Sequence, residues 1–194
     1  MARYICDAAC LPEKEWYESW AVARKVMRRH RGGPVFDLAG GHGLVAFLIL
    51  LQDRSTPHAT VVDMKVPASV QKLRAVLATR WPDLVERWRF EPGDLTQVDV
   101  PDDARLLGIH ACGSLTDTVL ERAIQTRSRV AVLPCCHSRD KHDSGGLEGW
   151  LPHDVAVDVI RARTLAAAGF KVHTATIDAS ITPKNRLLLG TPQR

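Results

Sequence analysis

No stretch of this sequence is apolar for long enough to cross a bilayer. The longest run, Leu44–Leu51, falls well short of the ~18 residues that a span requires. The start, Met1-Ala2-Arg3-Tyr4, lacks a signal-peptide apolar segment, so a cytoplasmic protein with no membrane partner is expected. Aromatic residues are few, at 6%, and the chain has no internal repeat, low-complexity tract or linker-like shift of composition. Collagen-like, coiled-coil and extensively disordered organisation are thereby excluded. Cysteine is also sparse, at Cys6, Cys10, Cys112, Cys135 and Cys136. An odd count without an export signal reads as reduced thiols, not a disulfide framework. Neither sign of charge dominates: 26 Lys and Arg stand against 22 Asp and Glu. That balance permits an anionic partner without demanding one, and no DNA partner is expected.

What is present is rhythm. At 194 residues one domain is expected, with a helical segment over 1–31 ahead of an α/β body over 32–194. Residues 12–31 read as a helix with Trp16, Trp20, Ala23 and Met27 on one stripe, stopped by Gly32-Gly33-Pro34. Short apolar runs then alternate with helical patterns. Strands are expected over Val35–Ala39, Ala59–Asp63, Trp88–Glu91, Arg105–His110 and Arg129–Leu133. Helices are expected over Gly43–Gln52, Pro67–Arg80, Leu115–Thr126 and Pro152–Ala168. That alternation argues for a parallel sheet covered on both faces. The end breaks it. Lys171–Ile177 and Arg186–Leu189 both read as strands, but the connection between them is too short for a parallel crossover, so they form an antiparallel hairpin with Pro183 in the turn.

A Rossmann-like, doubly wound, mostly parallel seven-stranded sheet that ends in an antiparallel hairpin resembles the class I S-adenosylmethionine (SAM)-dependent methyltransferase fold. The sharpest local signal agrees. Val35-Phe36-Asp37-Leu38-Ala39-Gly40-Gly41-His42-Gly43 runs from an apolar strand through glycines into a helix. Glycines let backbone approach a ligand closely, and the helix start offers free N–H groups. Asp63 ends the second strand, placed to bind both hydroxyls of a ribose. Gly41–Ala46 also satisfies the dinucleotide pattern G-x-G-x-x-A, so an NAD-dependent oxidoreductase is an alternative. Three features favour SAM. Asp37, just before the glycines, can hold the cationic amino group of a methionine moiety. Gly93-Asp94-Leu95 follows the third strand, where Asp94 can accept from an adenine amino group. The terminal hairpin is the third. The expected cofactor site comprises Asp37, Ala39, Gly40, Gly41, Gly43, Asp63, Met64, Asp94, Leu95, His110 and Ala111.

Two further strand ends carry chemistry: His110-Ala111-Cys112-Gly113-Ser114-Leu115-Thr116-Asp117 and Pro134-Cys135-Cys136-His137. Ligands of open α/β sheets bind outside the carboxyl ends of strands, so both segments are expected to face the substrate. This pair, with Thr182-Pro183-Lys184-Asn185-Arg186, is similar to a methyltransferase group carrying H-x-C-G and C-C-H motifs, which includes the Trm13-type tRNA 2′-O-methyltransferases. The resemblance implies methyl transfer to RNA, either tRNA or rRNA.

His110 and His137 are candidate general bases, since imidazoles titrate near neutrality. Three readings of Cys112, Cys135 and Cys136 stand side by side. They pack strand ends as small buried residues. Alternatively Cys135 or Cys136 is a nucleophile that attacks C6 of a pyrimidine, as in RNA cytosine-C5 methyltransferases, whose cysteines follow these same strands. Or Cys135, Cys136 or His137 joins Cys6 and Cys10 on zinc; the spacing of Cys6 from Cys10 is loose and adjacent cysteines rarely share an ion, so no metal is expected. Residues 138–151 read as a loop that either lids the substrate or merely connects. The tract Arg24–Arg31 is a basic helix end that can also touch phosphates. Against the RNA methyltransferase stand a small-molecule O- or N-methyltransferase and a non-catalytic SAM- or partner-binding module, the latter if Trp16 and Trp20 form an exposed face.

Overall fold

The computed structural model describes residues 2–7 and 11–193; Cys10 lies outside them. The helices are α1 (Ala2–Asp7), α2 (Glu13–Met27), α3 (Leu44–Gln52), α4 (Ser69–Ala78), α5 (Pro82–Glu86), α6 (Leu115–Thr126) and α7 (His153–Ala167). The strands are β1 (Val35–Leu38), β2 (Ala59–Asp63), β3 (Trp88–Pro92), β4 (Arg105–Ile109), β5 (Arg129–Leu133), β6 (Phe170–Thr176) and β7 (Arg186–Pro192). They form one seven-stranded sheet in the order β3-β2-β1-β4-β5-β7-β6. The five strands β3, β2, β1, β4 and β5 run parallel, and β7 inserts antiparallel between β5 and β6.

The strand alternation sorts side chains to two cores. Val35, Leu107 and Leu133 join α2, α3 and α4 on one face. Phe36, Leu38 and Leu106 join α6 and α7 on the other. Helix α3 is buried from Leu44 through Leu50, which explains why its sequence is apolar all round instead of striped. The strand order reverses between β1 and β4. That switch point opens a crevice at the carboxyl edge of the sheet.

The sequence reading placed α1 within a helical segment over 1–31 without delimiting it, and missed α5. It also ran the first long helix to residue 31, whereas α2 stops at Met27, where the N–H groups of Arg29 and His30 both turn to the Val26 carbonyl. His30 is pulled inward and buried against Thr191 Oγ1 of β7, at 3.1 Å. The tryptophan stripe is no exposed docking face. Trp16 is buried, Trp20 half-buried and stacked on it at 5.6 Å, and both pack on the core that holds α3. No helix among the described residues is long and apolar enough to cross a membrane.

Candidate active site

Backbone strain marks the switch point. Among the described residues only Ala39, Asp103, His110 and Arg127 take a positive φ without being glycine. Ala39 directly follows β1 and His110 directly follows β4, the two strands that flank the crevice. Such conformations cost free energy and concentrate at functional sites. Each is pinned by its neighbour strand: Ala39 N–H donates to the Val62 carbonyl at 2.8 Å, and His110 N–H to the Leu133 carbonyl at 3.1 Å.

Beyond Ala39 the chain makes a tight turn, with Gly43 N–H on the Gly40 carbonyl at 2.8 Å. Gly43 has φ +66°, and a Cβ there would sit 2.4 Å from the Val61 side chain, so only glycine lets α3 start this close to β2. Gly41 differs: φ is +54°, but a Cβ would meet nothing within 4 Å. The turn therefore faces open space on the crevice side.

That space is a cleft of about 570 Å³. Its floor is Asp37, Leu44 and Val45, and the glycine turn forms one wall. The start of α2 closes it with Glu15 and Glu18, and Thr182, Pro183 and Lys184 of the β6–β7 connection complete the rim beside His110 and Cys135. Asp37 is almost fully buried, and its Oδ1 has no hydrogen-bond partner. Burial, and then the charge of Asp63, push its carboxyl up to about 7. Such a group has a strong electrostatic demand for a cationic partner.

Two carboxylates of α2, three residues apart on one face, orient two imidazoles. Glu18 Oε2 lies 2.9 Å from His110 Nε2. Burial raises Glu18, but its hydrogen bonds to His110 and Thr182 outweigh that and hold it below its ordinary value. Glu15 Oε2 lies 2.9 Å from His42 Nε2, while His42 Nδ1 accepts from Leu44 N–H at 3.1 Å. That acceptance fixes the proton on Nε2, which donates to Glu15. Burial holds His42 below its ordinary value, against the pull of Glu15.

The structure gathers Asp37, Ala39, Gly40, Gly41, His110 and Cys135 on this cleft. Asp63 stands at its side, with Oδ2 accepting from Gly41 N–H at 3.0 Å. Met64 and Asp94 are exposed further along the carboxyl edge, whereas Leu95 and Ala111 are buried and offer packing or backbone alone. Asp94 closes its own turn through Thr96 N–H at 2.8 Å.

His137 corrects the sequence reading. Its side chain is 2% exposed, turned off the cleft, with Nε2 2.8 Å from Asp158 Oδ1 of α7. Asp158 in turn binds Arg161 and Arg186, so His137 ties the end of β5 to α7 and the hairpin. The cysteines do not simply pack, either: Cys112 and Cys136 are exposed and Cys135 is half-buried. Burial and the two neighbouring thiols push Cys135 well up, which leaves it a poor nucleophile, whereas hydrogen bonding from Cys135 lowers Cys136. Cys6 is exposed on α1 and does not join Cys112, Cys135 and Cys136. The sequence reading missed Glu15 and Glu18 as site residues. For Glu18 the signal is a carboxylate set on the buried stripe of α2, between Trp16 and Val22; Glu15 lies one turn earlier on a half-exposed position.

A family described as a methyltransferase domain matches residues 17–141. No curated protein matches the chain in sequence. Among solved structures, an O-methyltransferase family protein from Burkholderia thailandensis superposes with a TM-score of 0.57 at 19% identity, covering 90% of this chain and 55% of its own length. A tRNA (uracil-54, C5)-methyltransferase from Pyrococcus abyssi, in complex with S-adenosyl-L-homocysteine, gives 0.56 at 15% identity, over 90% of this chain and 38% of its own. A precorrin-6y C5,15-methyltransferase from Geobacter metallireducens gives 0.58 at 11% identity, over 90% of this chain and 87% of its own. The chain thus spans about half the length of the first of these.

Proposed function

The chain belongs to the family of methyltransferase domains, with S-adenosylmethionine as cofactor, and from that premise we propose that it methylates a small-molecule acceptor in the cleft between α2, His110 and the β6–β7 connection. The cofactor fits the residues present. Asp37 offers an orphaned carboxylate oxygen to a cationic amino group. The open side of the Gly41 turn admits a ligand backbone to backbone. Asp63 suits a ribose diol, and Asp94 lies further along the same edge for the adenine amino group. When bound, the cofactor supplies a methyl group carried on a sulfonium.

The chain's own part is to place an acceptor and take its proton. His110 lines the cleft with Nε2 held by Glu18, so the imidazole is oriented there to take the acceptor's proton. This pair, set on the same cleft as Asp37, is the observation that carries the reading. His137 serves as a strut and Cys135 as lining.

The small size of the acceptor is supported by the charge layout. The basic tract lies at the other end of α2, where His30 meets the end of antiparallel β7 at the amino edge of the parallel strands, away from the cleft. The rim itself mixes Lys14 and Lys184 with Glu15 and Glu18. O-methyltransferases among the structural neighbours support the same reading. An RNA acceptor is the second reading, carried by the His110–Asp117 and Pro134–His137 motifs. Incubating the protein and tritium-labelled cofactor with cell extract, then separating metabolites, RNA and protein, tests both. Label in the metabolite fraction is expected. Label in RNA assigns the second reading, and no label despite cofactor binding overturns catalysis.

A further inference from the structure

The carboxyl ends of β4 and β5 bring three sulfurs together, and neither packing nor a single nucleophile accounts for all three. The two strands pair in register, Ile109 opposite Leu133. Cys112 therefore leaves β4 at the level where Cys135 and Cys136 leave β5. The segment after Leu133 has no regular secondary structure through Ser138. In a strand, successive side chains point to opposite faces. Here the irregular backbone turns both adjacent thiols the same way, which removes the objection that the sequence reading raised against their sharing one ion. The Sγ atoms of Cys112 and Cys135 are 3.1 Å apart, those of Cys135 and Cys136 3.4 Å, and those of Cys136 and Cys112 3.6 Å. Two of the three residues are exposed, unlike cysteines that act as small core residues.

We infer that Cys112, Cys135 and Cys136 form a binding site for zinc(II), open at its fourth position beside the mouth of the cleft. A tetrahedral ion with bonds of about 2.3 Å to sulfur needs ligand edges of about 3.8 Å. The observed triangle reaches that by opening each edge by about 0.2–0.7 Å. Soft thiolates select zinc over magnesium or calcium. On binding, each S–H bond is replaced by a metal–sulfur bond, and the three protons go to solvent. Among the described residues no fourth His, Cys, Asp or Glu joins the cluster, so water or a donor atom of the acceptor takes the last position. Lys184, which lines the cleft with Cys135, offsets the negative charge of three thiolates around one divalent ion. The site differs from the one weighed in the sequence, since His137 is committed to Asp158 and Cys6 lies on α1. It does not depend on the acceptor's identity.

The test uses the full chain, purified reduced and without a metal-binding tag. Metal analysis is expected to find about one zinc per chain. Cobalt(II) is expected to give a thiolate-to-metal charge-transfer band in the near ultraviolet, with visible bands of tetrahedral intensity. Cys112→Ser, Cys135→Ser and Cys136→Ser should each weaken or abolish the band, whereas Cys6→Ser should keep it. A cooperative thermal melt in each variant separates a lost site from a lost fold, and Cys112→Ala supplies a second removal of the same ligand. Reduced wild-type protein that binds neither ion overturns the proposal. So does a Cys112–Cys135 disulfide, found by peptide mass in freshly isolated protein that holds no zinc. A charge-transfer band that survives in the folded Cys112→Ser, Cys136→Ser double variant also overturns it.

Discussion

Asp37 shows how one side chain can couple ligand binding to pH. Its carboxyl is pushed up to about 7 by burial and by Asp63, and one of its oxygens has no partner. A cationic amino group selects the ionised form. Below about pH 7 a proton must therefore leave on binding, and cofactor affinity should fall toward about tenfold per pH unit. Titration calorimetry between about pH 8 and pH 6 measures this. Asp37→Asn should flatten the profile and weaken binding at pH 8 by about 1.5–3 kcal/mol, the range for hydrogen bonds to charged groups. A wild-type affinity that does not change with pH would remove Asp37 from the contact. The two glycines of the turn separate stability from binding. Gly43→Ala meets both a left-handed φ and the Val61 side chain, so it should destabilise by about 2–4 kcal/mol in urea unfolding. Gly41→Ala meets only the φ penalty, about 1–2 kcal/mol, but its methyl points into open space beside the cleft and should weaken the cofactor instead.

At the scale of elements, the paired ends of β4 and β5 and the start of α2 build the chemistry. His110 is held by Glu18 across that junction, so His110→Ala should slow methyl transfer by about 10²–10⁴-fold while cofactor affinity persists. Glu18→Gln should retain part of the rate and shift its pH profile, because Glu18 acts through His110. Unchanged rates in both variants would place the proton acceptor elsewhere. The opposite edge of the sheet is fixed by Arg105, the first residue of β4, which is fully buried. Its guanidinium donates to Asp53 at 3.1 Å, to the carbonyls of His30 and Gly33 at 3.0 Å each, and to Thr56. It thereby locks the turn that joins α2 to β1. Arg105→Met leaves Asp53 buried without its cation, and a loss of about 3–5 kcal/mol is expected in chemical denaturation. A loss below about 1 kcal/mol would mean that water replaces the guanidinium.

The whole molecule sets its charges at two ends. The cleft lies at the carboxyl edge and the basic end of α2 at the amino edge, with the length of α2, roughly 22 Å for 15 residues, between them. Charge reversal at Arg28 and Arg29 is therefore expected to leave methyl transfer to a small acceptor unchanged, as measured by tritium incorporation. A loss confined to RNA labelling would instead join that end to an RNA path and favour the second reading.

Sequence alone determined the architecture, because its signals are local. Strand periodicity, the glycine punctuation at Gly40–Gly43 and a connection too short to cross over leave few ways to wind the sheet. It also pointed to Asp37, the glycines and His110, since residues just past parallel strands must meet at one edge. Tertiary structure alone decided partnerships that span long stretches of chain. Nothing local to Glu18 predicts that it meets His110, 92 residues on, nor does anything near His137 predict its capture by Asp158. The three cysteines belong to the same class. Whether they converge depends on the register of β4 against β5 and on irregular backbone after Leu133, and neither is encoded in the spacing of Cys112 from Cys135. Long-range side-chain pairing is set by how helices and strands pack, which sequence periodicity constrains only to a face, not to a partner.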